Sequence, residues 1–342
     1  MALFDSLNQM NQSRKQTARR RFLLGALGAV GTYFGYRWWR DRPRPVMQRA
    51  TKFITDPAEF YTISIDLGFV TKAKPETWRL ELAGPEERRA ELRYDELLSL
   101  ERRRIYKTLM CVGNEVGGPS LANAEWTVTP LAPVLERILG AQRAGLRAVF
   151  YGLDGFYSSV PLEVALHEYS FLAYEMNGAP LADKHGYPAR VFLPNVYGMK
   201  QPRWLSKIEI TDRQVSGYWE KRGWCSECPI KMTARIDAAQ FQPEGAFLVT
   251  GVAYCGGTAV GQVELSADDG KTWQAAQLGA EQFPNAWTTW SFRWTPPQTS
   301  NRKQEHVLIA RVSDVLGNRQ EEAASGSFPS GATGWHRVII TA

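Results

Sequence analysis

The sequence predicts an α+β region followed by an all-β sandwich. Up to about Asp237, strand-like alternation is mixed with short helical periodicities, without the regular strand–helix repetition of a doubly wound sheet. Beyond that point helical spacing disappears, and short strands separated by turns indicate a β-sandwich of immunoglobulin type. The 342 residues suffice for two domains with cores of their own.

Taken in order, Trp78-Arg79-Leu80-Glu81-Leu82 alternates as a strand, and Arg93 to Leu100 reads as a short helix. Ile105 to Val112 is an apolar strand. Leu131, Val134, Leu135 and Ile138 share one face of a helix expected over Pro130 to Leu139. Val149 to Leu153 and Arg190 to Leu193 are further strands. In the second region Phe247 to Tyr254 reads as a strand. Gln262 to Ser266, the Asp268-Asp269-Gly270 turn and Trp273 make a hairpin, and Thr288 to Trp294 alternates. Val307 to Val312 closes the series before Asp314. The expected divisions are a leader over 1–40, a Pro- and charge-rich linker over 41–58, and domains over 59–235 and 236–342.

The net charge of +6 is misleading, because residues 1–50 hold ten Lys/Arg against two acids and leave 31 basic against 33 acidic in the remainder. A near-neutral body gives no case for a nucleic-acid surface. In the leader, Arg19-Arg20-Arg21-Phe22-Leu23-Leu24 opens an apolar, glycine-rich stretch. Paired arginines before such a stretch read as a twin-arginine export signal, which implies a periplasmic protein. The stretch is shorter than the roughly 20 residues of a comfortable span. Trp38-Trp39 suits a membrane interface, so retention as an anchor through residues 22–39 is the other outcome. Four cysteines are too few for a disulfide scaffold. Cys225-Ser226-Glu227-Cys228 has neither a partner pair nor a following His, so a local disulfide is the plain expectation and a redox relay the sharper one.

The chemistry centres on Cys111. The apolar run Thr108-Leu109-Met110 stops at Cys111-Val112-Gly113-Asn114, delivering one thiol to the rim of a sheet beside glycines that admit a large ligand. A soft thiolate suits a soft metal. His185-Gly186-Tyr187-Pro188-Ala189-Arg190 offers a ring nitrogen and a guanidinium in a rigid loop, a pairing suited to phosphate. With Asn123-Ala124-Glu125-Trp126, Ala173 to Gly178 and Tyr197-Gly198-Met199-Lys200 through Trp204-Leu205, these motifs occur in one order. Together they resemble the sulfite oxidase superfamily of molybdopterin enzymes from about Phe60 onward.

The resemblance implies a sulfite-oxidase-type catalytic domain followed by a dimerisation domain, and a molybdenum–molybdopterin cofactor that carries two-electron chemistry. It places Cys111 as the molybdenum ligand, with Asn114 in the same motif. His185, Arg190, Gln201, Pro202, Arg203 and Asp154 fall where the family holds the pterin and its phosphate, and Tyr61 opens the first cofactor loop. It aligns Trp224 with the family's active-site tyrosine. Without a haem-attachment motif, electrons are expected to pass to or from an external protein. Three departures bear on substrate: Ile63-Ser64-Ile65 replaces an Arg-Asn-His run, Glu115-Val116 replaces arginines, and Trp224 replaces tyrosine. A dianion such as sulfite wants several cationic donors, which Lys107 or Lys200 would have to supply. The expected activity is oxygen-atom transfer on a small oxyanion or an S- or N-oxide, by a homodimer. Sulfite dehydrogenation is one alternative; a non-catalytic binding or assembly protein on the same scaffold is the alternative of another class.

Overall fold

Four sheets carry the described residues. The computed structural model describes residues 42–66, 69, 73–297 and 304–342. The leader over 1–40 lies outside the described residues, and no described helix is long and apolar enough to cross a membrane. Pro45–Ala342 forms one compact unit. Its N-terminal stretch, expected as a linker, is docked: Arg49 N–H donates to Asp237 O at 2.8 Å and Thr55 N–H to Asn123 O at 2.8 Å.

The first sheet runs Arg89–Arg93, Arg79–Ala83, Leu205–Thr211, Arg147–Gly152, Tyr157–Pro161. Its one parallel pairing joins Leu205–Thr211 to Arg79–Ala83; the rest are antiparallel. The second runs Arg190–Phe192, Phe171–Met176, Leu121–Pro130, Arg103–Met110. Among the described residues, α-helices are few and short: Tyr94–Ser99, Ala132–Leu135 and Leu162–Ala165. The helix expected over 130–139 is thus only four residues long, although Leu131, Val134, Leu135 and Ile138 are all buried as its face requires. Proline stands at its start and Gly140 follows closely, so the apolar face is met by turns rather than by a continuous ladder.

In the C-terminal part, Thr233–Phe241, Phe247–Tyr254, Thr288–Trp294 and Gln277–Leu278 form one sheet. His336–Thr341, Glu305–Asp314, Val260–Ser266 and Gln274–Ala275 belong to another. Side chains of both, among them Ile236, Val249, Trp290, Val263, Leu265, Leu308 and Val312, share one apolar core. The expected division at 235/236 falls inside the strand Thr233–Phe241. Seven consecutive buried positions hide its alternation, and its Arg235–Asp237 ion pair gives the strand a polar look.

Candidate active site

Cys111 sits one residue past the strand Arg103–Met110, where its N–H still pairs with Ser120 O at 3.0 Å. Alternation puts Lys107, Leu109 and Cys111 on one face of that strand. Gly113 N–H points at Cys111 Sγ, 3.4 Å away. Burial raises the thiol pKa, and that N–H works in the opposite direction. Leu109, Cys111, Val112 and Gly113 form one wall of a cavity of about 280 Å³.

The 183–190 loop contributes His185 and Arg190 to the same lining. A single 3₁₀ turn, Asp183–His185, ends at Gly186 with φ 108°, where a Cβ would stand 2.9 Å from that of Arg203. Only glycine takes this conformation and this approach without strain. His185 is buried, its Nε2 3.0 Å from Pro57 O, and burial lowers its pKa to about 4, so the ring is neutral at pH 7. Arg190 is buried as well. Its Nη1 donates to His185 O at 3.1 Å, while Nε finds no partner. Its guanidinium lies 5.2 Å from the Phe192 ring centre, and burial lowers its pKa to about 9. Arg203 donates to Lys184 O at 2.5 Å and Ile63 O at 2.9 Å, fastening the Tyr61–Ile65 loop over the cavity.

Nine of the ten residues expected at the site line this one cavity: Tyr61, Cys111, Asp154, His185, Arg190, Gln201, Pro202, Arg203 and Trp224. Asn114 does not. It is buried, and its Oδ1 accepts from Ser120 N–H at 2.8 Å, so it holds the turn that presents Cys111. Gln201 has a similar fastening role, accepting from Leu193 N–H and donating to Val196 O. Asp154 combines both duties, since it faces the cavity and its Oδ1 accepts from Phe156 N–H at 3.1 Å. Lys107 and Lys200 are both absent from the wall. Lys107 Nζ donates to Leu193 O at 2.9 Å, and Lys200 Nζ pairs with the buried Glu220 carboxylate.

Trp219, which the sequence offered as either a pocket or a core aromatic, lines the cavity, as do Met199, Phe156 and Val112, which had no assigned role. Their signal was weak, since an apolar side chain beside a motif reads equally well as core. The Trp224 turn is held from three sides: a disulfide joins Cys225 to Cys228, Phe328 packs edge-on at 5.3 Å, and Cys225 N–H donates to Pro329 O. A carbon placed on Gly113 would sit 3.7 Å from Cys111 Sγ and 3.9 Å from Trp224 Cη2, so thiol and indole converge on one point.

This donor set fits a molybdopterin-type group. Among the described residues no three His, Cys, Asp or Glu side chains gather to hold a metal. The chain therefore offers one sulfur donor, and further ligands would come from the metal's organic carrier. Buried Arg190, with its unsatisfied Nε, suits an anionic phosphate at the other end, while the neutral His185 ring commits its one N–H to Pro57 O and adds no charge there.

Comparison with known proteins agrees. Residues 67–219 match the family described as oxidoreductase molybdopterin binding domain, and residues 227–342 the Mo-co oxidoreductase dimerisation domain. The chain is 28% identical over 322 residues to the mitochondrial sulfite oxidase of Rattus norvegicus and 29% over 323 residues to that of Homo sapiens. Each alignment covers 79% of this chain and 59% of the relative. The chain thus spans under two thirds of the length of these relatives. The sulfane dehydrogenase SoxCD of Paracoccus pantotrophus superposes with a TM-score of 0.68 at 20% identity, over 79% of this chain and 77% of that one, a likeness of fold. Carrying both domains in order, the chain belongs to the sulfite oxidase superfamily of molybdopterin-dependent oxidoreductases, whose cofactor is molybdenum–molybdopterin.

Proposed function

We propose that the chain is an exported, periplasmic enzyme of two-electron oxygen-atom transfer on a small oxyanion or an S- or N-oxide. It would exchange electrons with an external redox protein and work as a homodimer through an immunoglobulin-like C-terminal sandwich. The domains would be 59–235 and 236–342, behind a twin-arginine leader that is cleaved or anchors the protein through residues 22–39. The observation that carries this reading is the convergence of Cys111, His185, Arg190 and Arg203 on one cavity. When bound, the cofactor supplies the oxygen-atom and electron chemistry. Cys111 would ligate the molybdenum, Arg190 and Arg203 would neutralise the phosphate, and Asp154 and Tyr61 would orient the pterin. Trp224 would close the substrate side and exclude water. The twin-arginine pair supports export, and the match to a dimerisation domain supports the homodimer.

Sulfite dehydrogenation is the second reading, favoured by the two sulfite oxidase relatives. The test is protein purified from a cofactor-competent host. Near-stoichiometric molybdenum, with dye-linked turnover of sulfite or of an S- or N-oxide, is the expected result. A molybdenum-free protein from that host would instead indicate a binding or assembly scaffold.

A further inference from the structure

Among the described residues, the side of the cavity around Cys111 carries no unpaired positive charge. Around Cys111 the wall is Val112, Gly113, Met199, Trp219 and Trp224. Described basic residues on the neighbouring segments have partners elsewhere. Lys200 is fully buried, and its ammonium is bound by the Glu220 carboxylate and Ser159 O. Lys221 donates to the Tyr157 hydroxyl at 2.5 Å. Arg222 lies 3.6 Å over the Tyr218 ring and donates to Tyr218 O. Lys107, behind the wall, donates to Leu193 O. Arg190 and Arg203 do face the cavity, but they belong with His185 to the cofactor's anionic end: Arg190 bonds His185 O, and Arg203 packs against Gly186. Among the described residues, the charged side chains at the turn after Cys111 are also engaged: Glu115 is held by Ser327 N–H and Oγ, and Arg235, which donates to Gly118 O at 3.1 Å, is paired with Asp237.

A dianion entering such a wall would lose its hydration without gaining a counter-charge. An uncharged S-oxide has no such penalty, because its apolar substituents lie against indole faces and only its oxygen must approach the metal. We propose that the site is selective for uncharged S-oxides, with Trp224 and Trp219 as the specificity-determining residues. The inference rests on the molybdopterin oxygen-transfer reading and narrows it. In the reducing direction the sulfur–oxygen bond breaks, two electrons from a reduced external carrier and two protons are consumed, and the oxygen leaves as water. The sulfide is the product.

The test uses holoenzyme whose molybdenum content has first been measured. A molybdenum-free preparation from a cofactor-competent host overturns the underlying reading and this inference with it. With molybdenum present, an aryl methyl sulfoxide with a reduced viologen dye is compared with sulfite and ferricyanide. Expected are saturable sulfoxide turnover, little inhibition by millimolar sulfate, and a kcat/KM for the sulfoxide at least roughly tenfold above that for sulfite. Trp224→Ala should raise the sulfoxide KM roughly tenfold with a smaller effect on kcat, and Trp224→Phe should restore most of it. Absent sulfoxide turnover by molybdenum-loaded enzyme, preference for sulfite, competitive inhibition by sulfate, or an unchanged KM in Trp224→Ala would each overturn the proposal.

Discussion

Arg190→Met should strengthen the cofactor-free fold while abolishing cofactor retention. Arg190 is 5% exposed, and its guanidinium has one carbonyl partner at 3.1 Å and leaves Nε unbonded. Leaving one buried donor unsatisfied costs about 1–3 kcal/mol. The same burial, with Arg203 close by, lowers the arginine pKa to about 9, so the charge is held at a cost. The Phe192 and Trp126 rings, 5.2 and 5.7 Å away, return part of this, ~0.5–2 kcal/mol. Methionine fills much of the same space without charge. Cofactor-free Arg190→Met should therefore melt up to about 4 °C above the cofactor-free parent, a net gain of up to ~2 kcal/mol for a chain of this size. Scanning fluorimetry on protein made without molybdate measures this. Metal analysis on protein made with it should show most of the molybdenum lost, as expected where a binding site is built at the expense of the apo fold. A lower melting temperature in the cofactor-free variant, or full molybdenum content, would refute the reasoning.

Gly113→Ala should leave fold and molybdenum content intact, because the new methyl meets nothing closer than 3.7 Å. It should nevertheless cut kcat/KM roughly tenfold by filling the gap between Cys111 and Trp224, as steady-state assays would show. Burial, with a smaller push from Arg190, lowers the Lys107 pKa to about 7, against an ordinary 10.5. Between these values the unfolded chain binds the extra proton. Stability of the cofactor-free protein should therefore rise with pH from about 7 to about 10.5, by up to a few kcal/mol, and urea titrations of Lys107→Met should lack that rise. Glu220→Gln strands the buried Lys200 charge and should cost ~3–5 kcal/mol. The Lys200→Met/Glu220→Gln double variant should recover part of that loss in the same titrations.

The half of the site that a motif announces was legible. A strand running into a glycine turn gave Cys111, and a Pro/Gly-shaped loop gave His185 and Arg190, because backbone constraint and charge are written in single residues. The Cys225–Cys228 disulfide likewise followed from local spacing. What distant segments contribute was not legible. Phe328 reaches Trp224 from about a hundred residues away, and Ser327 holds Glu115, contacts that only the packing of the C-terminal region creates. Nor could sequence say whether Lys107 and Lys200 face the cavity; both are spent on buried partners. Strands buried on both faces, such as Leu121–Pro130 and Thr233–Phe241, lost the alternation by which strands are read. Asn114 fell within the ligand motif, yet its side chain serves the turn.

X-ray absorption at the molybdenum edge, comparing parent and Cys111→Ser protein, tests the central claim most directly. A Cys111 thiolate on the metal predicts one sulfur neighbour fewer in the variant, replaced by oxygen, or loss of the metal from a chain that still melts cooperatively. An unchanged sulfur count at full metal content would contradict it.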